Sequence, residues 1–362
     1  MRTIQMSSYT VGEDCFEAIP AALSPYRAKT VVLVGGRRAL AAAAPGIRAA
    51  LDDTDVQIID EIVYGTDSTQ SAIDALVANP AFRAADVAFA IGGGKAIDTV
   101  KTAAKELDKT VFSVPTICSN CSSATAIAVV YNDDHSLKGY AYPDAPAHIF
   151  INPVIIAAAP EEYFWAGIGD ALSKQPEVEY ATSDGGLTHT GALGLALAHT
   201  CTEPLMTFGE QGLADVRASR ASEAVKQIAL DIVVNTGYVS NLTNQPDFYY
   251  NSSLAHAFYN ATTGIPRGNR PYLHGEVVSF GVLVLFAYIG DTEQLERYAA
   301  FNKKLGLPVT LAELDLDESH LDRIAELARN TNEWKQGNPE PFTSAAFIEA
   351  IKTADAFGKN LA

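Results

Sequence analysis

With 362 residues the chain is long enough for two domains of ordinary size, each with a substantial core. Its 43 acidic residues outnumber 26 basic ones, for a formal charge of −17, and no Lys/Arg block breaks the pattern; nucleic acid, whose phosphates need a basic face, is excluded as a partner. Hydrophobic residues make up 48% and charged ones 19%, too apolar for disorder, so the acidity belongs to the surface of a folded protein.

The opening MRTIQMSSYTVGEDCFEAIP lacks the basic start and unbroken apolar run of a signal peptide, and a cytoplasmic protein is expected. The longest apolar run, VVSFGVLVLFAYIG at 277–290, falls short of the roughly 18 residues needed to cross a bilayer. It predicts a buried helix and no membrane association. Four cysteines are too few for a disulfide scaffold and are expected as reduced thiols.

In chain order, β-branched runs at 30–34, 57–63, 86–91, 110–114, 127–132 and 148–152 predict strands. Amphipathic stretches at 38–51, 68–78 and 95–107 predict helices between the early ones. Alternation of this kind predicts an α/β domain with a mostly parallel sheet, covered on both faces, whose ligands sit at the carboxyl ends of the strands. Beyond Pro160 the text turns to 3.6-residue periodicity at 161–182, 186–199, 214–240, 254–262, 276–289, 293–305, 318–330 and 344–356, an all-helical domain. The expected division is 1–158 and 159–362, with the chemistry at the boundary.

IGGGKAIDTVK, at 91–101, lies where a strand passes into a helix. Gly92, Gly93 and Gly94 let the backbone approach a pyrophosphate, while the unpaired N–H groups of the new helix meet its charge; a tight turn is the plainer alternative. Lys95 could reach a phosphate oxygen, and Asp98 could orient a ribose, a water or the lysine. This is not the GxGxxG fingerprint. At the first predicted strand end, VVLVGGRRAL places Gly35 and Gly36 before Arg37 and Arg38, and arginine there favours the extra phosphate of NADP over the ribose of NAD. A solvated helix start reads equally well.

The loop VPTICSNCSSATAIAVVY, at 114–131, carries Thr116, Ser119 and Thr125, suited to hydrogen-bond phosphate, ribose or amide groups. Its Cys118 and Cys121 form a CxxC, but no second CxxC completes a zinc site, and both read as small residues packing near a cofactor. In the helical half, Asp170 (AGIGDALSK), His256 (LAHAFYNATTG) and His274 (PYLHGEVVSFG) offer two imidazoles and a carboxylate, a three-ligand set with an open position. Each also has a structural reading: Asp170 paired with Lys174 at i, i+4, His256 as a core histidine, His274 as a helix start.

Taken in order, GGGKAID, PTICSNCSSATAIAVVY, AGIGDALSK, HAFYN and HGEVVSFG resemble the glycerol dehydrogenase branch of the iron-containing alcohol dehydrogenase superfamily, over most of the chain. The resemblance implies a Rossmann-like α/β domain with an all-α C-terminal domain, the architecture shared with dehydroquinate synthase. It implies hydride transfer between a small alcohol or ketone substrate and NAD or NADP, and a homo-oligomer. Asp170, His256 and His274 would hold the metal, and Gly93, Gly94, Lys95, Asp98, Thr116, Ser119, Thr125, Ile127 and Tyr131 would contact the dinucleotide. Iron-dependent relatives place a further histidine where Lys174 stands, so Zn²⁺ or another divalent ion is expected.

The chain departs from that pattern at three positions. Cys121 replaces an aspartate that contacts substrate, Gly35 replaces the acidic residue that selects NAD, and Tyr259 replaces a second histidine in HAFYN. The first two changes also suit NADPH-linked hydroxycarboxylate dehydrogenases; Arg267 and Arg270 of GIPRGNRPYL could hold a substrate carboxylate, and solvent-exposed loop charges are the plainer alternative. A dehydroquinate synthase-like cyclase and a non-catalytic dinucleotide-binding protein are the remaining alternatives.

Overall fold

The computed structural model describes residues 3–268 and 270–361. Eight strands are laid down in the first part of the chain: β1 (Ser8–Val11), β2 (Thr30–Gly35), β3 (Gln57–Val63), β4 (Val87–Gly92), β5 (Thr110–Pro115), β6 (Ala128–Tyr131), β7 (Leu137–Ala141) and β8 (His148–Ile151). Six of them form one sheet in the order β1-β8-β5-β4-β2-β3, with every pairing parallel.

Alternate side chains of each central strand enter opposite cores, because the strand period is two. Leu33 of β2 and Phe89 of β4 join Phe112 and Phe150 on one face. Val32, Val34, Ala88 and Ala90 face the other, against Ile97 and Val100 of the Gly94–Glu106 helix. Both faces are therefore dry, which is why β2 and β4 read as unbroken apolar runs.

Two strand expectations change. The run at 127–132 is β6, which pairs antiparallel with β7 in a separate hairpin and is no part of the main sheet. The sheet takes β1 instead, whose SYTV is too short and polar to stand out as a strand.

The described residues up to Glu161 form the first unit together with Ala214–Asn241; Glu162–Leu213 and the described residues from Leu242 onward form the second. Composition alone set the division at 158/159, because 214–241 is as helical as its neighbours. Its contacts decide otherwise: the Asn241 amide accepts from Ala126 N at 2.8 Å and donates to Ala124 O at 2.8 Å, and Tyr238 Oη donates to Ser7 O. Two predicted long helices are also broken. Pro176 cannot continue a helix through Leu172, so 161–182 divides into Glu161–Ala171 and Lys174–Ala181. The stretch at 214–240 divides where Ser222 caps a new start, into Glu203–Arg217, Glu223–Leu230 and Thr236–Thr243, with a π-turn at Asp231–Asn235. Among the described residues of the second unit, the regular structure is helical apart from the two-residue strands Asn244–Gln245 and Phe248–Tyr249. Among the described residues no helix is long and apolar enough to cross a membrane.

On the π-turn, Asp231 is buried, with Oδ1 bonded to Asn235 and Oδ2 without a hydrogen-bond partner. Burial raises its pKa well above the usual carboxylate value. The folded state therefore holds a proton that the unfolded chain releases, and stability falls as pH rises above about 4. Asp231→Asn should raise the denaturation midpoint at pH 7, with the gain shrinking toward pH 4. A pH series of urea melts checks both the gain and its sign.

Candidate active site

At the carboxyl edge of the sheet, Gly35 lies beside Ile91 and Gly92 beside Pro115, so the ends of β2, β4 and β5 stand side by side. Gly92 has φ +150°, a backbone that favours glycine, and lets the chain turn directly into the Gly94–Glu106 helix. Gly93 is the N-cap and offers no side chain to the first-turn N–H groups, and no acidic residue occupies that turn. This is an anion-accepting helix start at the place expected for a phosphate. The next strand end repeats it: Gly36 caps Arg37–Leu51 without a side-chain bond, has open space where a side chain would be, and is followed by exposed Arg37 and Arg38.

Gly35 itself cannot hold an acidic side chain. A Cβ there would lie 2.3 Å from Ile91 O, so glycine is required for strand packing, and any selecting side chain belongs one residue on.

Asp98 is engaged within the protein. It is buried, with Oδ1 bonded to Ser122 Oγ at 2.5 Å and 3.0 Å from Lys101 Nζ, and Oδ2 accepting from Val129 N at 3.0 Å. Lys101, with no exposed side-chain surface, donates to the carbonyls of Ser122 (2.9 Å), Thr125 (3.1 Å) and Ile127 (2.6 Å). Thr125 and Ile127 therefore serve to seat the loop on this ammonium; the Thr125 hydroxyl is turned inward, 3.4 Å from the same nitrogen. Thr116 is tied by its N–H to Gly92 O at 3.1 Å, while Ser119 and Cys121 are only part-buried. Lys95 is exposed, but Asp67 Oδ2 holds its ammonium at 2.9 Å and also meets His135 Nδ1 at 2.9 Å. Tyr131 lies beneath the same lysine, 5.7 Å from its ring centre, and burial raises its pKa. Lys101, Asp67, His135 and Asn241 were not legible as site residues, because each works through backbone or through another side chain.

In the second unit, Asp170, His256 and His274 converge, with one ligand atom from each lying within 4.8 Å of the others. His274 Nε2 is 2.9 Å and His256 Nε2 3.6 Å from Asp170 Oδ1. Glycine makes this possible. A Cβ on Gly275 would lie 1.8 Å from Ala166 O, and one on Gly169 2.4 Å from Gly275 O, so the helices Glu161–Ala171 and His274–Ile289 meet backbone to backbone. Gly281 likewise admits Ala255 of Leu254–Thr262, the helix that carries His256.

Burial opposes ionisation of Asp170, but the two imidazoles outweigh it and hold the carboxyl well below its usual range. Burial also opposes protonation of His256, yet Glu177 and then Asp170 push it up to about 10. Glu177, fully buried, meets His256 Nδ1 at 2.6 Å and was missed in the sequence. Carboxylates that force a buried imidazole to keep a proton are what a cation site presents before its cation is supplied. The donor set of two nitrogens and an oxygen fits a divalent ion.

The pairing of Asp170 with Lys174 is not formed; Lys174 Nζ donates to Asn251 O at 2.9 Å and Oδ1 at 2.8 Å. Tyr259 meets the His274 ring edge-on at 4.1 Å. Arg267 and Arg270 both stack on Tyr272, at 4.3 and 4.1 Å, and Arg270 also pairs with Glu276 at 2.6 Å. Their guanidinium groups are committed within the protein. Cys15 and Cys118 are buried free thiols.

The first unit thus carries a parallel sheet with glycine-turned helix starts, and the second a His-His-Asp cluster. Residues 7–153 match the iron-containing alcohol dehydrogenase family. Along 76% of its length the chain is 34% identical to a glycerol dehydrogenase of Thermotoga maritima, 76% of which is covered. It is 30% identical to hydroxycarboxylate dehydrogenase A of Escherichia coli, over 90% of this chain and 89% of that one. The crystal structure of a probable glycerol dehydrogenase from Sinorhizobium meliloti superposes with a TM-score of 0.82 at 25% identity, covering 100% of both chains. The chain belongs to the iron-containing alcohol dehydrogenase family.

Lys101→Met should destabilise the protein by about 3–5 kcal/mol, since it strands the Asp98 carboxylate, and should weaken dinucleotide affinity as the 122–127 loop loosens. Urea melts and fluorescence titration with NADH and NADPH check the two effects; an unaltered melt would contradict the buried pair. Gly275→Val should lower the melting temperature and abolish cation uptake together, read by calorimetry and metal analysis.

Proposed function

We propose that the chain is a divalent-metal-dependent, NAD(P)-linked dehydrogenase of a small polyol or related hydroxy compound. The observation that carries this reading is the convergence of Asp170, His256 and His274 from three separate helices on one point. Asp170, His256 and His274 would hold a divalent ion, which would supply Lewis-acid activation of a bound alcohol, and a bound nicotinamide dinucleotide would supply the hydride acceptor. Three protein ligands with Lys174 drawn away to Asn251 favour Zn²⁺.

The helix start at Gly93 and Gly94 receives the pyrophosphate, with Lys95 beside it. Arg37 and Arg38 at the open Gly36 turn favour acceptance of NADP(H) alongside NAD(H). Cys121, in the part-buried loop after β5, is our candidate for a substrate contact, on the resemblance of that loop to the family's.

A second reading, reduction of a 2-oxo acid with NADPH, is favoured by a cysteine rather than a carboxylate at position 121 and by the likeness to hydroxycarboxylate dehydrogenase A. The commitment of Arg267 and Arg270 to Tyr272 counts against it, since a carboxylate substrate would then lack those partners. A panel of glycerol and other small polyols with NAD⁺ and NADP⁺, run beside 2-oxo acids with NADH and NADPH, separates the readings. Polyol oxidation is expected to dominate; turnover confined to 2-oxo acids would replace the first reading with the second. His274→Ala should cut kcat/KM by more than the roughly 10–100-fold that loss of an outer-shell partner costs, and should release bound metal. Full turnover in that variant would overturn the assignment.

A further inference from the structure

We propose that Glu177 is a positioning residue of the cation site, which fixes His256 as an Nε2 ligand. The inference rests on the reading of Asp170, His256 and His274 as cation ligands. Imidazole has two nitrogens, and a ligand must present the unprotonated one to the metal. Glu177 Oε2 lies 2.6 Å from Nδ1, so that nitrogen donates its proton to the carboxylate and Nε2, the atom near Asp170, is left as the donor to a cation.

The same carboxylate holds the helix that carries the ring. Its Oε1 accepts from Ser253 N at 2.8 Å and His256 N at 3.0 Å, at the start of Leu254–Thr262. Ser253 is the N-cap residue, yet its own side chain makes no capping bond, and its Oγ is buried without a hydrogen-bond partner. Glu177 takes over the cap from another helix, where the positive end of the helix dipole favours its charge. Lys174, three residues earlier on the Lys174–Ala181 helix, ties the preceding segment through Asn251. Backbone, ring rotation and tautomer are thus set by one side chain with no exposed surface. A burial this costly, for an ionised group, is sustained by the full set of partners around it.

The test uses the full chain stripped of metal and titrated with Zn²⁺ against a chromophoric chelator, with Co²⁺ absorption as a second probe. Glu177→Gln keeps the size of the side chain but removes the charge that orders the Nδ1 proton. It should weaken Zn²⁺ about 10–100-fold and shift the Co²⁺ spectrum, while leaving the affinity for NADH within about twofold. Glu177→Asp, which retains the charge but withdraws it from the ring, should show a smaller loss and stands in if the glutamine variant does not fold. Zn²⁺ affinity and a Co²⁺ spectrum equal to those of the unaltered chain, in either folded variant, would overturn the positioning role. Failure of the unaltered chain to take up Zn²⁺ or Co²⁺ would overturn the ligand set itself.

Discussion

An ion taken out of water must find its partners inside the protein, and each unit of this chain is organised around that constraint. In the first unit Lys101, wholly buried, serves as a fixed internal cation: three carbonyls and the Asp98 carboxylate gather on it. The loop that follows β5 has little regular structure of its own, and its course is dictated by these bonds. In the second unit Glu177 plays the mirror role as a fixed internal anion, gathering two backbone N–H groups and an imidazole. Asp231 is the exception that shows the rule, since a buried carboxyl with one unpartnered oxygen is driven to its neutral form.

Glycine supplies the second constraint, in two physically distinct ways. At Gly92 it supplies a backbone angle, which lets a strand turn at once into a helix. At Gly169, Gly275 and Gly281 it supplies the absence of a Cβ, so that three helices touch through their backbones and bring short side chains within coordination range. Asp170 is too short to reach His274 across an ordinary helix spacing of 8–10 Å. The glycines of GIGD and HGEVVSFG are therefore as necessary to the cluster as its ligands.

The sheet was legible because both of its faces are buried, and β2 and β4 accordingly read as continuous apolar runs. β1 was not, being a four-residue edge strand with little apolar content. The three members of the His-His-Asp cluster were legible as residue types, and the resemblance joined them, whereas their supporting side chains were not. Glu177 lies seven residues after Asp170 across a proline-induced break, and Lys101 looks like one more helix-surface lysine. Neither carries a local signal, because each is defined by partners from distant segments: residues 122–127 for Lys101, 253 and 256 for Glu177. The internal engagement of Asp98 was hidden for the same reason. Its spacing from the glycines fits a ribose contact, but its oxygens are already engaged by Ser122, Lys101 and Val129.

A net charge of −17 opposes any anionic cofactor, so attraction must be local. Lys95 contributes less to it than its position suggests, since Asp67 neutralises it at 2.9 Å. What remains at the carboxyl edge of the sheet is the uncapped amide groups at Gly93 and Gly36, together with Arg37 and Arg38. Helix dipoles act over about one turn, and exposed arginines are screened within roughly 8–10 Å at physiological salt. Both therefore act on a bound phosphate and hardly on a distant one. The acidic surface discourages polyanions in general, while the strand ends offer an anion attraction only at contact range, so that any discrimination there rests on backbone geometry more than on long-range attraction.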